Sequence, residues 1–141
     1  MRCATADTRY NAKSIRINLP ATGRPGALPS VTSTETEVAV LFADVVGSTR
    51  LYELLGDQRA RELIQLCVEI MRDATGRNRG TVIKTIGDEI LAIFPTVDDA
   101  VNAGGEMQQD IGARPELLVQ GQHVAIRIGC HFGPVVLENK D

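Results

Sequence analysis

Residues 81–94 read TVIKTIGDEILAIF, and the reading of this stretch decides the fold. Two segments rich in β-branched and aromatic residues, 81–86 and 89–94, flank the pair Gly87-Asp88. Glycine takes positive φ without steric cost, so Gly-Asp between such segments predicts a two-residue hairpin. Pro95 follows at once and ends the second strand. A strand-turn-strand this tight argues against a receiver-type module, which alternates strands and helices regularly.

Upstream, residues 38–43 (VAVLFA) form a short continuous apolar run that ends at Asp44. Such a run predicts a strand buried on both faces. Gly47 then permits a tight turn, and Ser48 or Thr49 is expected to cap a helix. Ala60, Leu63, Ile64, Cys67, Ile70, Met71 and Ala74 recur at helical spacing, with Arg59, Arg61, Glu62, Gln65, Glu69 and Arg72 opposite. That pattern predicts an amphipathic helix.

Downstream, Thr96 with Asp99 resembles a capping box, and Val97, Ala100, Val101, Gly104, Met107 and Ile111 mark a second helix. After a loop with Pro115 and Gly121, residues 123–132 alternate toward a strand, Gly133-Pro134 is expected to turn the chain, and residues 135–137 begin another strand. The order β-α-β-β-α-β is that of an α+β, ferredoxin-like core. In that topology the end of the first strand lies beside the turn of the hairpin. Asp44 and Asp88, far apart in sequence, then become neighbours.

The chain has 141 residues, 43% hydrophobic, enough for one domain with a core. Aromatic residues are 4% and tryptophan is absent, so the core is expected to be aliphatic. No apolar run reaches the roughly 20 residues that cross a bilayer, and no secretory leader is legible in the first 25 residues. Cys3, Cys67 and Cys130 are odd in number and widely spaced, so a disulfide framework or thiolate metal site is not expected. Cys67 and Cys130 read as packed small hydrophobes, in keeping with a reducing cytoplasm.

Residues 17–36 mix Pro, Gly, Ser and Thr without apolar period, so 1–36 reads as a flexible basic tail and linker and 37–141 as the domain. Arg2, Arg9, Lys13, Arg16 and Arg24 face only Asp7 within residues 1–34, leaving 10 basic and 17 acidic residues in the body. An acidic body argues against a nucleic-acid surface, which needs cations for phosphates.

Asp44 and Asp88 carry the chemistry. Two carboxylates at adjacent strand ends repel each other unless a cation lies between them. Mg²⁺ or Mn²⁺ takes hard oxygen ligands and keeps positions open for water and phosphate oxygens. Such a pair is a natural two-metal site for a triphosphate. Backbone N–H groups of the turn after Asp44 can cradle phosphate at a helix start. Lys84 reads either as an edge lysine extending into solvent or as a donor to a purine ring. His123 and His131 are placed on one strand, too far apart to chelate one ion, and receive no catalytic role.

Three blocks, VAVLFADVVGSTRLYELLGD, GTVIKTIGDEILAIF and VAIRIGCHFGPVV, resemble in order and spacing the first motif blocks of class III adenylyl and guanylyl cyclases. The resemblance covers about residues 37–137 and implies the nucleotidyl cyclase fold. It implies that Asp44 and Asp88 bind two catalytic Mg²⁺ or Mn²⁺ ions, joined by the Val45 carbonyl. It also implies that amides of Val46, Gly47, Ser48 and Thr49 hold the β- and γ-phosphates. Lys84, in the run K-x-x-G-D with Gly87 also at the substrate, sits where adenylyl cyclases place the lysine that reads adenine. ATP is therefore the implied substrate and cyclic AMP the product, through a homodimer or a complementing cyclase segment. A guanylate cyclase, or a degenerate non-catalytic regulatory domain, is the alternative. A diguanylate cyclase would carry a Gly-Gly-Asp/Glu-Glu-Phe run at the hairpin, where this chain has Ile86-Gly87-Asp88-Glu89-Ile90. Family members continue past the point where this sequence stops, into a second base-reading residue, a ribose-orienting Asn and a transition-state Arg. The chain is accordingly expected to be incomplete at the C-terminus and inactive alone.

Overall fold

The computed structural model describes residues 16–19 and 33–139. Among the described residues the strands and α-helices are, in chain order, β1 Arg16–Leu19, β2 Ser33–Val45, α1 Ser48–Leu55, α2 Asp57–Arg77, β3 Thr81–Ile86, β4 Glu89–Phe94, α3 Val97–Gly112, β5 Leu118–Val119, β6 Gln122–His123 and β7 Ile126–Asn139. Five strands form one sheet in the order β1-β7-β2-β4-β3. The four from β7 to β3 are antiparallel, while β1 adds to β7 in parallel. Setting β1 aside, this is the split βαβ arrangement expected from the hairpin.

Strand alternation divides the sheet into two faces. Ala39, Leu41, Ala43 and Val45 of β2 enter the main core with Ala60, Leu63, Cys67 and Met71 of α2 and Ala100, Met107 and Ile111 of α3. Val38 and Val40 turn the other way and cluster with Ile93 and Val135. Both helices therefore lie on one face, and Asp44, in step with Val40 and Phe42, belongs to the other. Among the described residues the core is built of aliphatic and sulfur-containing side chains together with Phe94, which is fully buried. Cys67 and Cys130 are both buried, and burial pushes the Cys67 thiol up to about 11.

Among the described residues β3 is an edge strand, largely exposed, with Ile86 59% exposed. Several expectations are corrected. Neither Ser48 nor Thr49 caps a helix: Gly47 does, in the left-handed region at φ 70°, with no side-chain cap bond. Gly133-Pro134 makes no turn, and β7 runs straight through both residues. Among the described residues β7 has a strand partner on only one side at Pro134, since β1 pairs from Val136 onward, and that is a setting in which proline is tolerated. His123 and His131 lie on different strands, since Val124 and Ala125 interrupt the run. β2 also begins at Ser33, inside the stretch read as linker. Arg2, Cys3, Arg9, Lys13 and Arg24 lie outside the described residues.

The capping at Thr96 is present in altered form. The Thr96 hydroxyl oxygen accepts from the Asp99 amide at 3.1 Å and donates to the Asp99 carboxylate at 2.9 Å. The same carboxylate receives Arg79 at 2.6 Å, which ties the α2–β3 connection to the start of α3. That guanidinium, aided by the Thr96 hydroxyl, holds the Asp99 carboxyl below its ordinary range.

Candidate active site

The two acidic positions meet at one corner of the sheet. Asp44, second to last in β2, pairs across the sheet with Glu89, the first residue of β4. Asp88 occupies the hairpin turn just before it. The Val45 amide donates to the Asp88 carbonyl oxygen at 3.1 Å, fastening the end of β2 to that turn. Gly87 takes φ 56° while Asp88 keeps a negative φ, the sign pattern that a Gly-first hairpin turn requires.

Beyond Val45 the chain bends into α1. The Val46 amide is engaged by the Ala125 carbonyl oxygen at 2.9 Å, so in this structure it is committed to the fold. The first bond of α1 runs from the Leu51 amide to the Gly47 carbonyl oxygen. Ser48 and Thr49 amides precede it and have no intrahelical acceptor. These first-turn amides, with the Gly47 turn, form the part of the segment suited to an anion.

Arg127 was not singled out from sequence. It pairs with Asp44 from the opposite side, on β7, and its guanidinium approaches both carboxylate oxygens, Nη2 to Oδ2 at 3.2 Å and Nε to Oδ1 at 3.5 Å. The Asp44 side chain is 34% exposed and that of Arg127 74%. The hydrogen bond to Asp44 raises the guanidinium pKa further above its already high value. Alternation of Val124, Ile126 and Ile128 assigns Arg127 to the face away from the core, but the register that sets it opposite Asp44 is not local information.

Lys84 reaches the same face through an irregularity. Val82 pairs with Ala92, yet Lys84 pairs with Leu91, so Ile83 is an extra residue in β3. Plain alternation would put Lys84 with Val82, which packs against the main core. The bulge turns Lys84 to the face that carries Leu91, Phe42 and Asp44. Lys84 is exposed there, two strands and one same-face row from Asp44. At strand spacings of about 4.8 Å and about 3.4 Å rise per residue, the two Cα atoms lie roughly 12 Å apart.

Fit to a divalent cation rests on this donor set. Among the described residues no group of three or more His, Cys, Asp and Glu side chains is placed to hold a metal. Two carboxylates remain, and Asp44 already holds a cationic group, the Arg127 guanidinium. Two hard oxygen donors, completed by backbone oxygen, water and phosphate, suit Mg²⁺ or Mn²⁺.

An α+β domain with paired acids where its central strand meets the hairpin turn is the class these features define. Residues 31–139 match the adenylate and guanylate cyclase catalytic domain, and the chain belongs to that family. It is 33% identical over 104 residues to an adenylate cyclase of Streptomyces griseus, covering 72% of this chain and 24% of that protein. A solved adenylate/guanylate cyclase/hydrolase from Silicibacter pomeroyi is 30% identical with a TM-score of 0.61, covering 77% of this chain and 63% of that one. A bacterial light-regulated adenylyl cyclase shares the fold at a TM-score of 0.66 and 21% identity, covering 76% of this chain and 33% of that one. The chain spans 18% to 26% of the length of the curated relatives it matches. No helix among the described residues is long and apolar enough to cross a membrane.

Proposed function

We propose that the chain carries the metal- and phosphate-binding half of an adenylate cyclase site, which converts ATP into cyclic AMP and pyrophosphate. The observation that carries this reading is the backbone bond from Val45 to Asp88, which holds the two acids at one corner beside a helix start. Adenylate cyclases among the relatives, and Lys84 on the same face, support ATP over GTP.

In this reading Asp44, Asp88 and the Val45 carbonyl would hold two Mg²⁺ or Mn²⁺ ions. Such ions supply a lowered pKa for the attacking hydroxyl and neutralise the polyphosphate. Gly47, Ser48 and Thr49 amides orient the terminal phosphates, with Gly87 keeping the turn open beside them. Lys84 donates to the adenine ring. The ribose 3′-oxygen, its proton passing to solvent water, would bond to the α-phosphorus as the α–β phosphoanhydride bond breaks and its electron pair leaves with pyrophosphate. A second cyclase surface, from a homodimer or a complementing segment, completes the site, and the chain alone turns over little substrate. A reducing cytoplasm suits buried cysteines and a nucleotide substrate.

Isothermal titration with Mn²⁺ and a non-cyclisable ATP analogue tests the reading. Binding is expected in the unaltered chain and is lost in Asp44→Asn and Asp88→Asn. Folded protein that binds the analogue equally well with and without Mn²⁺ would remove the proposal.

A further inference from the structure

Asp44 has a like charge on one side and an unlike charge on the other. Register sets Glu89 directly across from it on β4 and Arg127 directly across on β7. Like charges facing each other across strands are unfavourable, and Asp88 lies in the adjoining turn. Among the described residues Arg127 is the cation recorded on this acidic corner, contacting both oxygens of Asp44. A divalent ion bound through Asp44 needs the oxygens that face the guanidinium and brings a like charge close to it.

We infer that Arg127 is a tethered counter-cation: it occupies Asp44 while no metal is present, and a divalent ion must displace it to bind. This rests on the reading of Asp44 and Asp88 as metal ligands and adds to it a residue that sets metal affinity. The arginine keeps the acid corner compensated without metal, and it makes the site selective for ions strong enough to compete. The side chain is largely exposed on a flexible stem, so it can swing clear without disturbing the core. Because the pair is solvent-exposed, the competition is modest and screened by salt.

Direct Mn²⁺ binding to the full chain, read by the loss of the free Mn²⁺ electron paramagnetic resonance signal, provides the test. Arg127→Gln is expected to bind Mn²⁺ roughly fivefold more tightly than the unaltered chain at low salt, the gap narrowing as salt is raised. Arg127→Ala is an independent replacement and is expected to behave alike, with circular dichroism confirming the fold of both. Equal or weaker Mn²⁺ binding by the folded variants overturns the inference while leaving the ligand assignment standing. No Mn²⁺ binding by any of the proteins overturns both. Tightening that vanishes when Asp44→Asn is added supports it.

Discussion

At the scale of single residues, Lys84 and Cys67 make opposite kinds of prediction. Lys84 is exposed and its packing contribution small, so Lys84→Glu is expected to leave the melting temperature nearly unchanged. It should lower affinity for an adenine nucleotide about tenfold relative to its guanine counterpart, as measured by competition titration. Cys67 is fully buried, and its thiol is held near pKa 11 against an ordinary value of 9.0. The folded state therefore retains a proton that the unfolded chain gives up. That stabilisation is complete below pH 9 and is lost as pH rises from 9 toward 11. Urea melts across this range should show a decline that is smaller in Cys67→Ala. The mirror case is Asp99, whose carboxyl is held down by Arg79. Its contribution is present above the ordinary carboxylate range and fades as pH falls through and below it, so Asp99→Asn should flatten the acid limb of the same experiment.

At the scale of elements, the connection from α2 to β3 is the tightest joint described. A Cβ on Gly80 would stand 2.7 Å from Thr75 Cγ2 and 2.8 Å from Phe94 Cζ. Both neighbours are fully buried, and the Thr75 hydroxyl is committed to the Met71 carbonyl oxygen at 2.8 Å. Gly80→Ala is expected to cost about 1–3 kcal/mol in denaturant unfolding, far more than an exposed helix substitution. α2 and the β3–β4 hairpin were legible in the sequence, because helical spacing and a Gly-Asp turn are local signals. The break at Gly56 between α1 and α2, the straight passage of β7 through Pro134 and the extra residue at Ile83 were not. Each depends on what the neighbouring strand or helix presents, and no single window of sequence carries that information.

At the scale of the whole molecule, the same distinction holds for the site. Adjacency of Asp44 and Asp88 followed from topology, since the order of strands in a split βαβ sheet sets the first beside the third. Arg127 escaped because its partner is fixed by the register of β7 on β2, thirteen paired positions whose alignment the pattern alone leaves open. With α2 and α3 on one face, Asp44, Lys84 and Arg127 sit on the other, and Asp88 lies in the hairpin turn at its edge. A second cyclase surface would approach from there. Mixing the chain with a cyclase segment that supplies the remaining groups is expected to raise cyclic AMP formation well above that of either part. Activity of the chain alone equal to that of the mixture would refute the idea of a half-site.

The extra residue in β3 has a consequence for how base preference could change over time. Replacing Lys84 adjusts one contact by degrees. Deleting Ile83 would instead set Lys84 directly after Val82, so plain alternation would keep the ammonium on the Leu91 face while the bulge itself disappears. A three-base deletion at Ile83 would therefore spare the orientation on which the proposed base contact of Lys84 depends, a tolerance that no tally of side-chain chemistry would reveal.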